Sequence, residues 1–193
     1  MYDYIKGTLE ELTPAEAIVE CHGIGFKLQI SLNTYDRIQG QKEVRLYVHH
    51  HLREDEETLY GFCDKDERRI FALLIGVSGI GPNTARMMLS SLTPDEISTA
   101  VASGDVNRIK GVKGIGLKTA QKVIIELKDK ISKGGAGLDL SGGTVSANSA
   151  EACSALIMLG FAKNAVEKTV ASIVKKEPGL SLEDIIKKAL KML

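Results

Sequence analysis

The sequence predicts an α+β protein of several domains: a five-stranded β-barrel, an all-α domain, and a three-helix bundle on a flexible linker. Alternating apolar residues run through the first sixty or so positions. A phrase containing a glycine turn occurs twice in the middle of the chain, and a glycine-rich stretch then precedes a tail with helical apolar spacing. We expect domains at 1–63, 64–131 and 148–193, with the linker at 132–147.

The N-terminal segment shows the period-two pattern of β-strands. Phe26, Leu28 and Ile30 share one face of a strand, and the same alternation recurs from Val44 to Val48. A corner at Gly23-Ile-Gly25 joins the second and third strands. Five short strands at this spacing predict a small barrel of the OB kind, with a small open sheet as the alternative. The predicted strands are 4–12, 17–22, 26–31, 44–49 and 58–62.

The repeated phrase reads GVSGIGPNTARMMLSSL at 76–92 and GVKGIGLKTAQKVIIEL at 111–127. Each copy places Gly-Ile-Gly between two stretches with helical apolar spacing. The glycines allow a tight turn and leave no side chain over its amides, and the helix that follows turns its positive dipole end toward the same spot. The pattern resembles a tandem helix-hairpin-helix motif, which implies sequence-independent binding of DNA phosphates. The alternative is a pair of packed αα-hairpins with glycine corners.

Charge is distributed unevenly along a chain whose net charge is zero. Residues 1–62 carry a net −5, residues 63–132 carry +3, and the remainder carries +2. This asymmetry indicates that the middle segment faces phosphate. Its basic residues gather around the second copy: Arg108, Lys110, Lys113, Lys118, Lys122, Lys128 and Lys130.

The candidate DNA-binding residues lie in and just after the two turns. Asn83 stands where the second copy has Lys118, so we expect the first turn to bind phosphate through its amides alone. The predicted contacts are Gly79, Ile80, Gly81, Asn83 and Thr84 in the first copy, and Lys113, Gly114, Ile115, Gly116, Lys118, Thr119 and Lys122 in the second.

Two nucleotide-binding motifs are approached but not completed. The second copy nearly spells a P-loop, but Leu117 separates its last glycine from Lys118 and no clear strand precedes it. Neither copy has the third glycine of the dinucleotide fingerprint, so no cofactor is expected. Two other classes stay open: a self-contained ATPase, and a DNA glycosylase or lyase with Lys118 as nucleophile. The second class lacks stacking aromatics, because this helical segment has Phe71 alone.

Metal, membrane and disulfide chemistry are not expected. His49 and His51 could share a strand face, with His50 on the other, but no Cys or carboxylate stands nearby at metal-site spacing. Three widely spaced cysteines without a C-x-x-C predict reduced thiols in a cytoplasmic protein. The sequence shows no secretory signal and no apolar run long enough to span a bilayer.

The acidic run at 53–57 and the tail each allow two interpretations. On charge alone, the run between the last two strands is a solvated turn. In the tail, Leu159-Gly160-Phe161 resembles the loop of ubiquitin-associated-like (UBA-like) three-helix domains, which implies a protein partner. A bundle that only stabilises the chain is the alternative. The expected docking surface includes Leu156, Leu159, Phe161 and Ile186.

In this order, the OB-like strands, tandem hairpins, glycine-rich tether and three-helix tail resemble the bacterial RuvA family. Arg53-Glu-Asp55 and Leu59-Tyr-Gly-Phe62 strengthen the resemblance, which covers the whole chain. It implies a homotetramer, or two tetramers, holding a Holliday junction open during homologous recombination and DNA repair. Glu54 and Asp55 match the acidic pin at the crossover. The resemblance also implies that the tail docks on the hexameric ATPase RuvB, that the RuvC resolvase joins a larger complex, and that the chain has no catalytic activity of its own.

Overall fold

A computed structural model of the chain describes residues 2–54, 56–134 and 144–193. The chain divides into two compact units, Met1–Gly135 and Ala136–Leu193. The first unit contains the barrel and the all-α domain, and the second contains the tail.

The N-terminal strands form a closed barrel in the order β1-β2-β3-β5-β4. All pairs are antiparallel except β3 with β5. The barrel closes because β1 also pairs with β4, so the open-sheet alternative is wrong. Alternate residues such as Leu28, Ile30 and Leu46 fill its interior, as their spacing predicts. The strands are β1 Tyr4–Leu12, β2 Glu16–Cys21, β3 Ile24–Ile30, β4 Glu43–Leu52 and β5 Glu57–Phe62.

Two local features of the barrel differ from the sequence prediction. The β2–β3 turn is formed by His22 and Gly23, with φ values of 52° and 86°, while Gly25 lies within β3. Two successive positive φ values suit the twist of a two-residue hairpin. A short helix, α1 Leu32–Ile38, follows β3 and was not predicted, because seven residues are too few to show helical periodicity. Ser31 caps α1 and is buried.

Five helices form the all-α domain. Thr93 and Glu96 make the predicted reciprocal capping box at the start of α4, with Pro94 in the first helical position. Fully buried side chains such as Phe71, Met88 and Leu127 come from different helices and share one core. The helices are α2 Lys65–Ile75, α3 Pro82–Ser91, α4 Pro94–Ser103, α5 Val106–Lys110 and α6 Leu117–Gly134.

Polar groups connect α2 to the barrel. The buried carboxylate of Glu67 accepts hydrogen bonds from the hydroxyls of Ser31 and Thr34, the latter at 2.6 Å. The thiol of Cys63 donates to the same carboxylate at 3.3 Å. A buried carboxylate is tolerated where donors surround it in this way.

A second set of hydrogen bonds connects α3 to the barrel. Arg86 donates to the backbone carbonyls of Ala15 at 2.9 Å and Ile30 at 3.4 Å. From the barrel side, the amide of Asn33 donates to the backbone carbonyls of Leu89 and Leu92. These bonds fix the orientation of the first hairpin relative to the barrel.

The second unit is a three-helix bundle, as predicted, with α7 Thr144–Met158, α8 Lys163–Lys176 and α9 Leu182–Leu190. Ala152, Leu156, Val170 and Ile185 belong to its core. The backbone is helical at both edges of the predicted linker, at 132–134 and 144–147, because α6 continues past the buried Ile131 and α7 begins early. The middle of that linker, 135–143, lies outside the described residues. Within the described ranges, no helix is both long and apolar enough to cross a membrane.

Candidate nucleic-acid interface

The first glycine turn connects α2 to α3. Gly79 has a φ of 94°, which reverses the chain. The N–H of Ile80 donates to the carbonyl of Val77 at 3.0 Å and closes the turn. The N–H of Ala85 then donates to the carbonyl of Gly81 at 3.0 Å, in the first bond of the next helix.

The second turn, between α5 and α6, repeats this bonding pattern. Gly114 has a φ of 87°. The N–H of Ile115 donates to the carbonyl of Val112 at 3.1 Å, and that of Ala120 donates to Gly116 at 2.9 Å. The sequence repeat is therefore also a repeat of backbone conformation.

Each turn leaves the start of its second helix open. Gly81, the N-cap of α3, provides no capping side chain, and a Cβ added there would meet no atom within 4 Å. Pro82 has no N–H, so the first-turn N–H groups of Asn83 and Thr84 remain as donors directed along the helix axis. Gly116 is equally open at the start of α6. Such amides and the helix dipole together attract an anion.

The polar and charged side chains among the predicted contacts are exposed or half-buried. Asn83 is exposed, Thr84 and Thr119 are half-buried, and the exposed lysines are Lys113, Lys118 and Lys122. In the part of the chain that the structure describes, none of these three lysines has a carboxylate within 4 Å. Their charges are thus available to a ligand.

The structure corrects the predicted site at the two isoleucines of the motif. Ile80 and Ile115 are each only 5% exposed, and their side chains belong to the domain core. Their N–H groups close the turns, so neither group is free to contact DNA. An apolar residue between two glycines therefore anchors the turn to the core.

The sequence places Arg108 among the cations around the second turn, but its side chain forms an ion pair within the domain. Its guanidinium pairs with Glu96 at 2.5 Å, and Glu96 in turn belongs to the capping box of α4. The hydrogen bond from the backbone of Thr93 is the main cause that lowers the pKa of Glu96, and Arg108 adds to it. Fewer positive charges near the second turn are therefore available to a ligand than the sequence suggests.

Two exposed apolar residues near the turns were missed. Leu117, the first residue of α6, is 50% exposed, and Met87 on α3 is 41% exposed. The methyl group of Met87 lies 3.8 Å from the position that a Cβ on Gly114 would take. The sequence signal was present, because neither residue fits the apolar spacing that identifies the core.

The acidic tip closes as a tight turn between β4 and β5. The N–H of Arg53 donates to the carbonyl of Glu56 at 2.8 Å. Glu54 is exposed at the end of this hairpin, and Asp55 lies outside the described residues. The nearby rings of His49 and His51 stack at 6.4 Å, on one strand face as expected. Within the described residues, no group of three or more His, Cys, Asp or Glu could hold a metal ion.

The predicted docking residues of the tail differ in how far they are buried. Leu156 is fully buried in the core of the bundle and is not available to a partner. Phe161 and Ile186 are half-buried against that core, while Leu159 is exposed. Sequence reasoning missed further exposed apolar side chains in this unit: Met158, Leu190 and Met192.

The structure bears on the two enzymatic alternatives. Helix α5, and not a strand, precedes the near-P-loop, so its lysine does not occupy a phosphate-binding cradle of that kind. Phe71 is fully buried and cannot stack on a flipped base. Lys118 stands exposed at the start of α6.

Three family models match consecutive parts of the chain. Residues 1–61 match the RuvA N-terminal domain, residues 71–129 match a SAM-like helix-hairpin-helix tandem, and residues 147–193 match the RuvA C-terminal domain. Each match coincides with a structural part described above: the barrel, the paired hairpins and the three-helix bundle.

The chain is similar to other proteins over its full length. The Holliday junction branch migration complex subunit RuvA of Bacteroides thetaiotaomicron is 50% identical. Proteins of the same description from Bacteroides fragilis and Christiangramia forsetii are 49% and 48% identical. In all three comparisons the similarity covers 100% of both chains. Together with the closed barrel and the repeated hairpin, this similarity shows that the chain belongs to the RuvA family.

Proposed function

We propose that this chain binds four-way DNA junctions through backbone phosphates and serves as the DNA-binding subunit of a branch-migration complex. The observation that carries the proposal is the repeated turn, in which an open glycine stands directly before the second helix in both copies. The names of the full-length relatives supply the junction as the substrate and branch migration as the process.

Each turn would hold one stretch of phosphate backbone. The free N–H groups at the start of α3 and α6 would donate to phosphate oxygens, and Lys118 would add a charged contact at the second turn. None of these groups reads the edge of a base, so the affinity would be independent of sequence. The two turns lie in one domain, so a single chain would grip two places on one duplex arm.

The remaining partners follow from the family. A homotetramer, alone or as a pair, would place four hairpin domains around the four arms, with Glu54 and Asp55 at the crossover. The three-helix tail would dock on RuvB, the ATPase that moves the DNA, and RuvC would join the larger complex. The chain itself would provide no catalytic step and no nucleotide site. Its free thiols suit a reducing compartment such as the cytoplasm.

A gel-shift comparison at one stated salt concentration tests the proposal. A four-way junction should be bound more tightly than a linear duplex of equal length, and changing the base sequence of either should have little effect. Replacing Gly81 and Gly116 together by valine should weaken binding to both DNAs, because the side chains would cover the amides. Equal affinity for junction and duplex, or an unaltered affinity in the folded valine variant, would overturn the proposal.

A further inference from the structure

The two hairpins differ in charge at equivalent positions. The repeat pairs Asn83 with Lys118 and, one helical turn later, Met87 with Lys122. The second hairpin thus carries two lysines on one helix face where the first carries an amide and a thioether. All four residues are exposed.

The one cation in the α3 sequence does not compensate for this difference. Arg86 turns toward the barrel and donates to the carbonyls of Ala15 and Ile30. Because its hydrogen bonds are made to the barrel, the guanidinium is not directed at a ligand beside the turns. The first hairpin therefore presents open amides with no cation of its own turn or of α3 directed at them, while the second carries Lys118 in the first turn of its helix.

Met87 occupies a particular place between the hairpins. It is carried by α3 of the first hairpin, and its methyl group reaches to 3.8 Å from the Cβ position of Gly114 in the second turn. An exposed apolar side chain thus lies next to an anion-binding turn, where a purely electrostatic surface would carry polar groups. In a DNA strand the group that links two phosphates is deoxyribose, and its carbon atoms offer an apolar surface.

From this asymmetry we infer that the two hairpins divide the work of binding. Lys118 and Lys122 supply the ionic contacts, while the first hairpin binds through neutral groups, with Met87 packed against a deoxyribose between the two turns. The inference rests on the proposed function, since it assigns roles within that DNA site. Its consequence is that the salt dependence of affinity comes from the second hairpin.

The first test replaces Met87 by glutamine in the full chain and measures duplex and junction affinity over a salt series. We expect a loss of about three- to tenfold in affinity, the effect of losing an apolar contact that is partly buried when DNA binds. The slope of log affinity against log salt should not change, because no charge is lost. Ile24→Gln, an exposed apolar residue on the barrel, is the matched control and should have no effect. Unaltered affinity, or a changed slope, in a folded Met87→Gln protein overturns the inference.

The second test restores the symmetry of the repeat. Asn83→Lys should steepen the salt slope by about 0.9, the value for one added phosphate contact, and Lys118→Gln should reduce it by about the same amount. If Asn83→Lys leaves the slope unchanged, the first hairpin does not face phosphate as the repeat implies, and the inference is overturned. If Lys118→Gln and the glycine variants also leave DNA binding unchanged, the proposed function itself fails.

Discussion

At the scale of single residues, the two glycines of each turn serve different physical purposes. Gly79 and Gly114 have positive φ, a backbone conformation that residues with a Cβ rarely adopt. Gly81 has a φ of −87°, which any residue can adopt, and it faces open space. The first glycine therefore shapes the turn, whereas the second keeps the amides uncovered.

The same substitution at neighbouring glycines should consequently have different effects on stability. Gly79→Ala should lower the free energy of unfolding by about 1–2 kcal/mol because of left-handed strain. Gly81→Ala should change it by less than about 1 kcal/mol, because the less flexible unfolded chain is offset by the poorer N-cap that alanine makes at the start of α3. Gly81→Ala should nevertheless weaken DNA binding, since its methyl group lies over the free amides. Urea denaturation and a gel shift on both variants check this, and a Gly81→Ala protein destabilised as much as Gly79→Ala would contradict it.

Cys63 is a residue whose environment controls its ionisation. Burial, followed by the charge of Glu67 and the hydrogen bond to it, raises the pKa of the thiol from 9.0 to about 12. The thiol therefore stays protonated at neutral pH and acts as a donor to the buried carboxylate. It is a structural group, and not a nucleophile.

This raised pKa predicts a loss of stability in alkali. Below pH 9 the thiol is protonated in both the folded and the unfolded chain. Between pH 9 and 12 only the unfolded chain releases the proton, so the free energy of unfolding falls. Because the thiol is partly exposed, we expect at most about 1 kcal/mol by pH 10.5. Thermal melts at pH 8 and 10.5 should show a smaller decrease for Cys63→Ala than for the parent, and equal decreases would exclude this role.

At the scale of elements, α3 connects the barrel to the first glycine turn. Arg86, in the second turn of the helix, donates to barrel carbonyls, and Asn83 in its first turn is exposed. The C-terminal end of the helix is held by Asn33, which donates to the carbonyls of Leu89 and Leu92. The position of the first glycine turn is thus determined by hydrogen bonds made farther along the helix that follows it.

Removing the arginine contact should therefore weaken the attachment of the hairpin. Arg86→Met keeps an apolar stem but leaves two carbonyls without this donor, at a cost of about 1–3 kcal/mol. Arg86→Lys keeps the charge and one donor group, so it should lie between Met and the parent. Urea unfolding measures the difference. If both variants were as stable as the parent, the bonds to Ala15 and Ile30 would contribute nothing to stability.

At the scale of the whole molecule, charge is separated between parts with different proposed roles. The barrel segment is acidic and the hairpin segment is basic, although the total charge is zero. The exposed Glu54 at the β4–β5 tip adds negative charge at one end of the barrel. In a tetramer, four such tips near the crossover would repel phosphates where little water screens them.

Neutralising the tip should change which DNA is preferred. Glu54→Gln with Asp55→Asn should raise affinity for linear duplex and reduce the preference for four-way junctions, because repulsion of the wrong DNA is lost. Glu10→Gln with Glu11→Gln, an exposed acidic pair on β1, is the control for total charge. Both affinities should be measured at the same salt concentration. An unchanged junction-to-duplex ratio would mean that the tip is only a solvated turn.

The tail should be separable from DNA binding. Ending the chain at residue 143 removes α7, α8 and α9 but leaves the barrel and hairpin domain complete. Junction affinity should remain close to that of the parent, while coupling to the proposed ATPase partner should be lost. The comparison needs a branch-migration assay with the ATPase and a gel shift without it. A truncated chain that still supports ATP-driven branch migration would contradict the assignment of the tail.

The sequence by itself determined the order of the domains, the strand pattern and the two hairpins. These features arise from local regularities: period-two alternation in Phe26 to Ile30, a repeated glycine phrase, and a capping box at Thr93. Each is visible in a short stretch because neighbouring residues impose it on the backbone. The sequence could also point to Lys118 as a free cation, and its exposure agrees with that.

Only the tertiary structure decided which side chains face outward and which distant groups meet. Ile80 and Leu156 are core residues, Arg108 is paired with Glu96, and Met87 reaches the opposite turn. The Glu67 contacts join residues more than thirty positions apart. Periodicity indicates that a residue is apolar or charged, but not which element packs over it. Burial and pairing depend on how separate elements come together, and that information is distributed over the whole chain.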